Sequence, residues 1–138
     1  MKLKLEDVID AIEMASDGVE YYFSKEKGEI VVYTDPLITG IEDDELAEEL
    51  EENVDEYIRL PTKFDVNEYS IMEQFIWSLP EGKMQDSLER AIRGRGAFRN
   101  FKDKLESFGI VDEWYVYEAN TFKRIAIAWC ENKNIEYT

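Results

Sequence analysis

Apolar positions recur along the chain in two rhythms, and the switch between them marks out the elements. Leu5, Val8, Ile9 and Ile12 share one face at helical spacing, which predicts a short amphipathic helix over 4–14. VEYYFSKEKGEIVVYT (19–34) then changes to β-branched and aromatic runs on either side of a turn containing Gly28, a hairpin signal. Asp35-Pro36 and Gly40 break that pattern. IEDDELAEELEENVDE (41–56) follows, with Leu46, Ala47, Leu50 and Val54 as a thin apolar stripe on an acidic surface, so a weakly anchored helix is expected. YIRLP (57–61) reads as a third strand stopped by Pro61.

From there the rhythm stays helical. Asp65 and Glu68 stand at capping-box spacing ahead of Tyr69, Met72, Phe75, Ile76 and Leu79, predicting a helix over 66–79 that ends at Pro80 and Gly82. The next helix carries Met84, Leu88, Ala91 and Ile92 and stops at Gly94. Another carries Ala97, Phe98, Phe101, Leu105 and Phe108 and stops at Gly109. The last, 112–132, is expected to bury Tyr115, Phe122, Ile125, Ala126 and Trp129. With no repeat, linker or sharp change of composition, residues 1–138 are expected to form a single globular α+β domain. Its architecture is a small antiparallel sheet, the hairpin plus one or two further strands, packed against a layer of helices.

Charge changes this picture little for the fold and more for the partners. The chain of 138 residues has 32 acidic and 16 basic side chains, a net charge of −16, while its apolar fraction of 44% is enough for a core without metal or disulfide. A field of that sign opposes nonspecific binding to polyanions. No apolar run approaches the roughly 18 residues of a membrane helix, so a cytoplasmic protein with no membrane segment is expected. Cys130 is the only cysteine and has no internal disulfide partner; beside Trp129 on a helix it reads as a packed, inert thiol.

Several chemistries are excluded. The chain has no histidine, which removes the usual neutral-pH base, the hydrolase triads and histidine metal sites. Gly94, Gly96 and Arg99 fail the dinucleotide fingerprint because arginine stands at its third glycine and no strand precedes it, and a Walker lysine is absent. No cofactor is therefore expected. The acids of 42–56 lack the glycine and alternating spacing of a calcium loop, so they read as a solvated helix face, with mimicry of a phosphate backbone as the lesser alternative. Trp77, Trp114, Tyr115 and Tyr117 follow a helical rhythm and are expected in the core, Tyr117 being the expected exception.

One stretch runs against the overall charge. In AIRGRGAFRNFKDK (91–104), Arg93, Arg95, Arg99, Lys102 and Lys104 accompany a single acid, Asp103. Internal pairing accounts for part of it: Arg99 precedes Asp103 by one turn, and Lys102 precedes Glu106, each worth a few tenths of a kcal/mol. Arg93 suits the end of the preceding helix. Arg95 and Arg99 instead precede or open a helix, where the dipole disfavours cations by about 0.3–1 kcal/mol and an anion would reverse the sign. Arg93, Arg95, Gly96, Arg99 and Lys102 are thus the candidate anion- or partner-binding set, with pairing to the acidic helix of the same chain as the competing explanation. The function that follows is a non-enzymatic binding or regulatory module contacting an acidic protein segment or a phosphate-bearing ligand. An RNA- or DNA-associated factor is the alternative, and a carboxylate and divalent-metal enzyme stands behind it. The oligomeric state has no signal in the sequence.

EYSIMEQFIWSL, AIRGRGAFRNFKD, GIVDEWYVYE and IAIAWCENKNIEY, with the early hairpin and YIRLP, resemble the bacterial uncharacterised protein family (UPF) 0158. The resemblance covers nearly the whole chain, and GRGAFRNFKD followed by EWY is its most specific part. It implies no activity, since the family's name records an unknown function.

Overall fold

Elements begin and end where capping and turn residues place them. The computed structural model describes residues 2–40 and 43–138, the side chain of Thr39 excepted. In chain order these are α1 (Leu5–Met14), β1 (Val19–Ser24), β2 (Glu29–Thr34), α2 (Pro36–Thr39), α3 (Asp44–Glu52), a 3-10 turn (Val54–Glu56), β3 (Tyr57–Arg59), α4 (Glu68–Ser78), α5 (Lys83–Ala91), α6 (Ala97–Phe108) and α7 (Val111–Asn132). The class is α+β, as expected. Ile41 and Glu42, which open the expected acidic helix, lie outside the described residues. No helix among the described residues is long and apolar enough to cross a membrane.

Two details of the punctuation differ from the sequence reading. Asp35, Pro36 and Gly40 form α2 as well as ending β2: the Asp35 carboxylate accepts the Leu37 N–H at 3.0 Å, and Gly40 closes the turn in the left-handed conformation. The cap of α4 is Asn67, whose side chain accepts the Ser70 N–H at 3.1 Å. Asp65 is occupied elsewhere, accepting the Thr62 N–H at 2.8 Å and its hydroxyl at 3.0 Å. That amide bond, first among the causes, holds the Asp65 carboxyl below its ordinary pKa.

The chain packs as two compact units, Met1–Val66 with Phe122–Thr138, and Asn67–Thr121. In the first, the sheet has the order β2-β1-β3 and is antiparallel throughout. Tyr22 pairs with Val31 on one side and Arg59 on the other, and partners across a sheet share a face. One face therefore carries Glu20, Tyr22 and Ser24 with Val31, Tyr33 and Tyr57. The opposite face carries Tyr21, Phe23, Ile30, Val32 and Ile58. Tyr21 and Ile30 share a hollow with Ala11 and Met14 of α1. The core of this unit draws Val8 and Ile12 from α1, Leu60 after β3, and Phe122, Ala126, Trp129 and Cys130 from α7. Trp129 Nε1–H donates to the Arg59 carbonyl at 3.1 Å. Burial, and then the neighbouring Glu131, push the Cys130 thiol up, as suits a packed and unreactive group. The two ends of the unit meet in a parallel bridge between Leu3 and Tyr137, where Leu3 N–H donates to Glu136 at 2.9 Å and Thr138 N–H to Leu3 at 3.0 Å.

On the first sheet face the Tyr22 hydroxyl donates to Glu20 at 2.7 Å. Burial, and then this bond and the Glu20 charge, push the phenol up to about 12 from 10.0. The folded state thus holds its proton where the unfolded chain has lost it. Stability from this group is complete below pH 10 and is lost as pH rises towards about 12. Guanidinium unfolding of Tyr22→Phe across that window is expected to show a shallower alkaline decline than wild type. An identical decline would assign it to other groups.

The second unit is helical. It buries Ile71, Met72, Phe75 and Ile76 of α4, Leu88 of α5, Phe101 and Leu105 of α6, and Trp114 of α7. Phe75 lies 5.3 Å from the Trp114 ring, 5.3 Å from Tyr117 and 6.2 Å from Phe101, all edge-on. Tyr117, the expected exception, is half-buried and stacked against Trp114 in this cluster. The outward rings are Trp77, 63% exposed, and Tyr115, 52% exposed. Each directly follows a buried residue, Ile76 or Trp114, and so points about 100° away from it on the helix. Phe98 and Phe108 are likewise partly exposed at the edges of the α6 stripe. Gln85 Nε2 donates to the Ile76 and Leu79 carbonyls and completes the end of α4.

Candidate anion- and partner-binding site

The Gly/Arg loop joins α5 to α6 within the second unit. α5 ends at Ile92, whose carbonyl accepts the Tyr69 hydroxyl at 2.9 Å, which ties the start of the loop to α4. Gly94 (φ 79°) and Gly96 (φ 71°) both lie in the left-handed region, where a side chain would be strained. The chain can thereby reverse within the few residues between Ile92 and Ala97. Gly96 is also the N-cap of α6 and supplies no side-chain acceptor, and no acid stands in the first turn. The Asn100 side chain donates instead to the Arg95 carbonyl, at 3.4 Å. The first-turn N–H groups of α6 consequently have no side-chain cap, beside Arg95 and Arg99.

Arg93, Arg95, Gly96, Arg99 and Lys102 are all exposed. None of these cations, nor Lys104, makes an ion pair within 4.0 Å with a described residue of its own unit. The helical pairs Arg99–Asp103 and Lys102–Glu106 therefore do not close. The acidic run that offered another internal partner belongs to the other unit.

The set divides by position. Arg95, Gly96 and Arg99 surround the start of α6, and Lys102 follows one turn later. Arg93 departs from them: it borders a hollow of about 250 Å³ with Glu73, Glu89 and the exposed Trp77. Asp103 and Lys104 line a different hollow, of about 430 Å³, with Arg90 of α5. The association of Arg93 with Trp77 was missed from sequence, because it depends on how α4 and α5 pack. Trp77 itself had a signal, since it falls outside the Met72, Phe75, Ile76 stripe. Among the described residues, no group of three or more His, Cys, Asp or Glu side chains is placed to hold a metal ion.

Comparison with known proteins adds kinship without chemistry. The chain is similar to a protein of Pseudomonas aeruginosa (strain PAO1) called UPF0158 protein PA5073, at 22% identity over 131 residues, covering 93% of this chain and 83% of that protein. No solved structure matches it. The model of the uncharacterised protein family UPF0158 matches residues 1–138, and the chain belongs to that family.

Proposed function

We propose that the chain is a non-enzymatic binding or regulatory module whose Gly/Arg loop contacts an acidic protein segment or a phosphate-bearing ligand. The observation that carries this reading is the group of exposed arginines at the uncapped start of α6, with no carboxylate of their own unit within ion-pair distance. Helix-terminal N–H groups and guanidinium groups both favour oxyanions, the first through the dipole and the second through paired donors. The buried Cys130 and the absence of a second cysteine suit the cytoplasm as its compartment.

The test is an NMR titration with inorganic phosphate and with a short polyglutamate peptide. The amides of Gly96–Arg99 are expected to shift, and Arg95→Ala with Arg99→Ala to lower affinity about tenfold or more, because a charged hydrogen bond contributes about 1.5–3 kcal/mol. The melting temperature of the double variant should match or slightly exceed that of wild type at low and at high salt. A salt-sensitive loss of stability would mean that the arginines serve internal pairing. Tight binding of a short RNA that weakens steeply with salt would favour the nucleic-acid reading instead.

A further inference from the structure

The first unit carries a groove of the opposite character. It lies beside β2 and α3, has a volume of about 630 Å³, and includes Ser24, Val31 and Tyr57, which the strand register puts on one sheet face. Leu46 of α3 adds a further apolar contact. Four carboxylates, Glu26, Asp43, Glu45 and Glu49, line it against one cation, Lys27. The negative potential registers on the Tyr57 phenol, which is pushed up first by burial and then by Glu49, Glu56 and Glu26. Glu56 is itself engaged, accepting the Glu26 N–H and the Ser24 hydroxyl.

The strand beside the groove is an outer one. In the order β2-β1-β3, β2 has a strand partner on one side only among the described residues. Ile30, Val31 and Val32 line the groove consecutively, so it meets the strand along its backbone edge as well as its face. An outer strand presents unpaired N–H and C=O groups to which an extended peptide can add.

We infer that this groove docks an extended segment of a partner protein, added alongside β2, whose side chains on one face include both apolar residues and lysine or arginine. Side chains of a strand alternate between its faces. The set on the Val31 face therefore meets Val31 and Leu46 together with Glu26 and Glu49, whose charges act on Tyr57 of that same face. The charge complementarity is local to the groove and is reinforced by the net charge of −16, which steers cationic partners towards the protein. A second copy of the chain does not fit this description, because its own cationic stretch is a loop and a helix.

The test uses the full chain and two labelled synthetic peptides, a lysine–valine peptide repeating Lys-Ser-Val-Ser, which puts lysine and valine on one face, and a counterpart repeating Lys-Ser-Ser-Ser. Fluorescence anisotropy is expected to show the lysine–valine peptide binding about tenfold or more tightly than its serine counterpart, since only the former fills the apolar floor. Glu26→Lys with Glu45→Lys, both exposed groove-lining positions, should weaken that binding about tenfold or more. Glu13→Lys with Glu106→Lys makes the same change of net charge at exposed positions outside the groove and should change affinity less than about threefold. In wild type, hydrogen exchange of β2 amides should slow when the lysine–valine peptide is added. Equal affinity for both peptides, equal losses in both variants, or unchanged β2 exchange would overturn the inference. So would self-association abolished by the groove variant, which would make a second copy the occupant.

Discussion

Trp129→Ala is expected to lower stability by about 3–5 kcal/mol, the ordinary cost of truncating a buried aromatic side chain. Trp129 is 7% exposed, and it joins α7 to β3 by packing and by the bond from Nε1 to the Arg59 carbonyl. Truncation removes both, opening a cavity and leaving the carbonyl without that donor. Trp129→Phe separates the two losses, because it keeps most of the apolar area and gives up only the donor. Its cost should be nearer 0.5–1.5 kcal/mol, about that of one ordinary hydrogen bond, because the bond is only part-buried and Arg59 is exposed. Denaturant unfolding followed by circular dichroism measures both variants. A near-wild-type midpoint for Trp129→Ala would show that this face of α7 contributes little to the first unit.

Phe75→Ala should be comparably damaging to the second unit. Phe75 is buried and its ring touches Phe101, Trp114 and Tyr117, so removal takes one partner from each of three edge-on contacts. The expected loss is again about 3–5 kcal/mol. Phe75→Leu preserves most of the volume and removes the aromatic geometry, which contributes about 0.5–1.5 kcal/mol for each pair beyond its buried area. The leucine variant should therefore fall between wild type and alanine. If leucine and alanine were equally harmful, shape alone would not describe the site. If both were silent, the cluster would not be the core that its burial implies.

Where local chemistry decides an element, the sequence reading and the structure agree closely. α6 is bracketed by Gly96 and Gly109, both left-handed, and its limits match the expected ones. The hairpin was equally legible, since two β-rich runs around Gly28 leave few alternatives. The misses have physical causes. Asp35, Pro36 and Gly40 are the residues of a loop and also of a capped helical turn, and the bonds from Leu37 N–H to the Asp35 carboxylate and from Gly40 N–H to the Pro36 carbonyl distinguish them. Asp65 and Asn67 are both good caps, and the choice fell to Asn67 because Thr62 engages Asp65. Helical rhythm places Trp77 and Tyr115 inward because a run of apolar residues overstates the width of the buried stripe. For the candidate loop, the residues and their exposure were readable, while the separation of Arg93 from the others was not. The acidic groove was less accessible still, as Glu26 lies in a hairpin turn and Glu45 and Glu49 in a helix, and the rhythm along the chain carries no sign of their meeting.

The bridge between Leu3 and Tyr137 has a consequence for the order in which the chain acquires structure. Residues 67–121 form their unit from one continuous segment, so their contacts can close soon after that segment leaves the ribosome. The other unit is interrupted by them. Its sheet is synthesised before the helical segment, but Phe122, Ala126 and Trp129 follow only after it, and Tyr137 later still. The hairpin must therefore persist for a time without the side chains that complete its core, and contacts so distant in sequence close slowly. The sheet is thus begun before the helical unit and finished after it, and the interval between is when its outer strand is most open to misassociation.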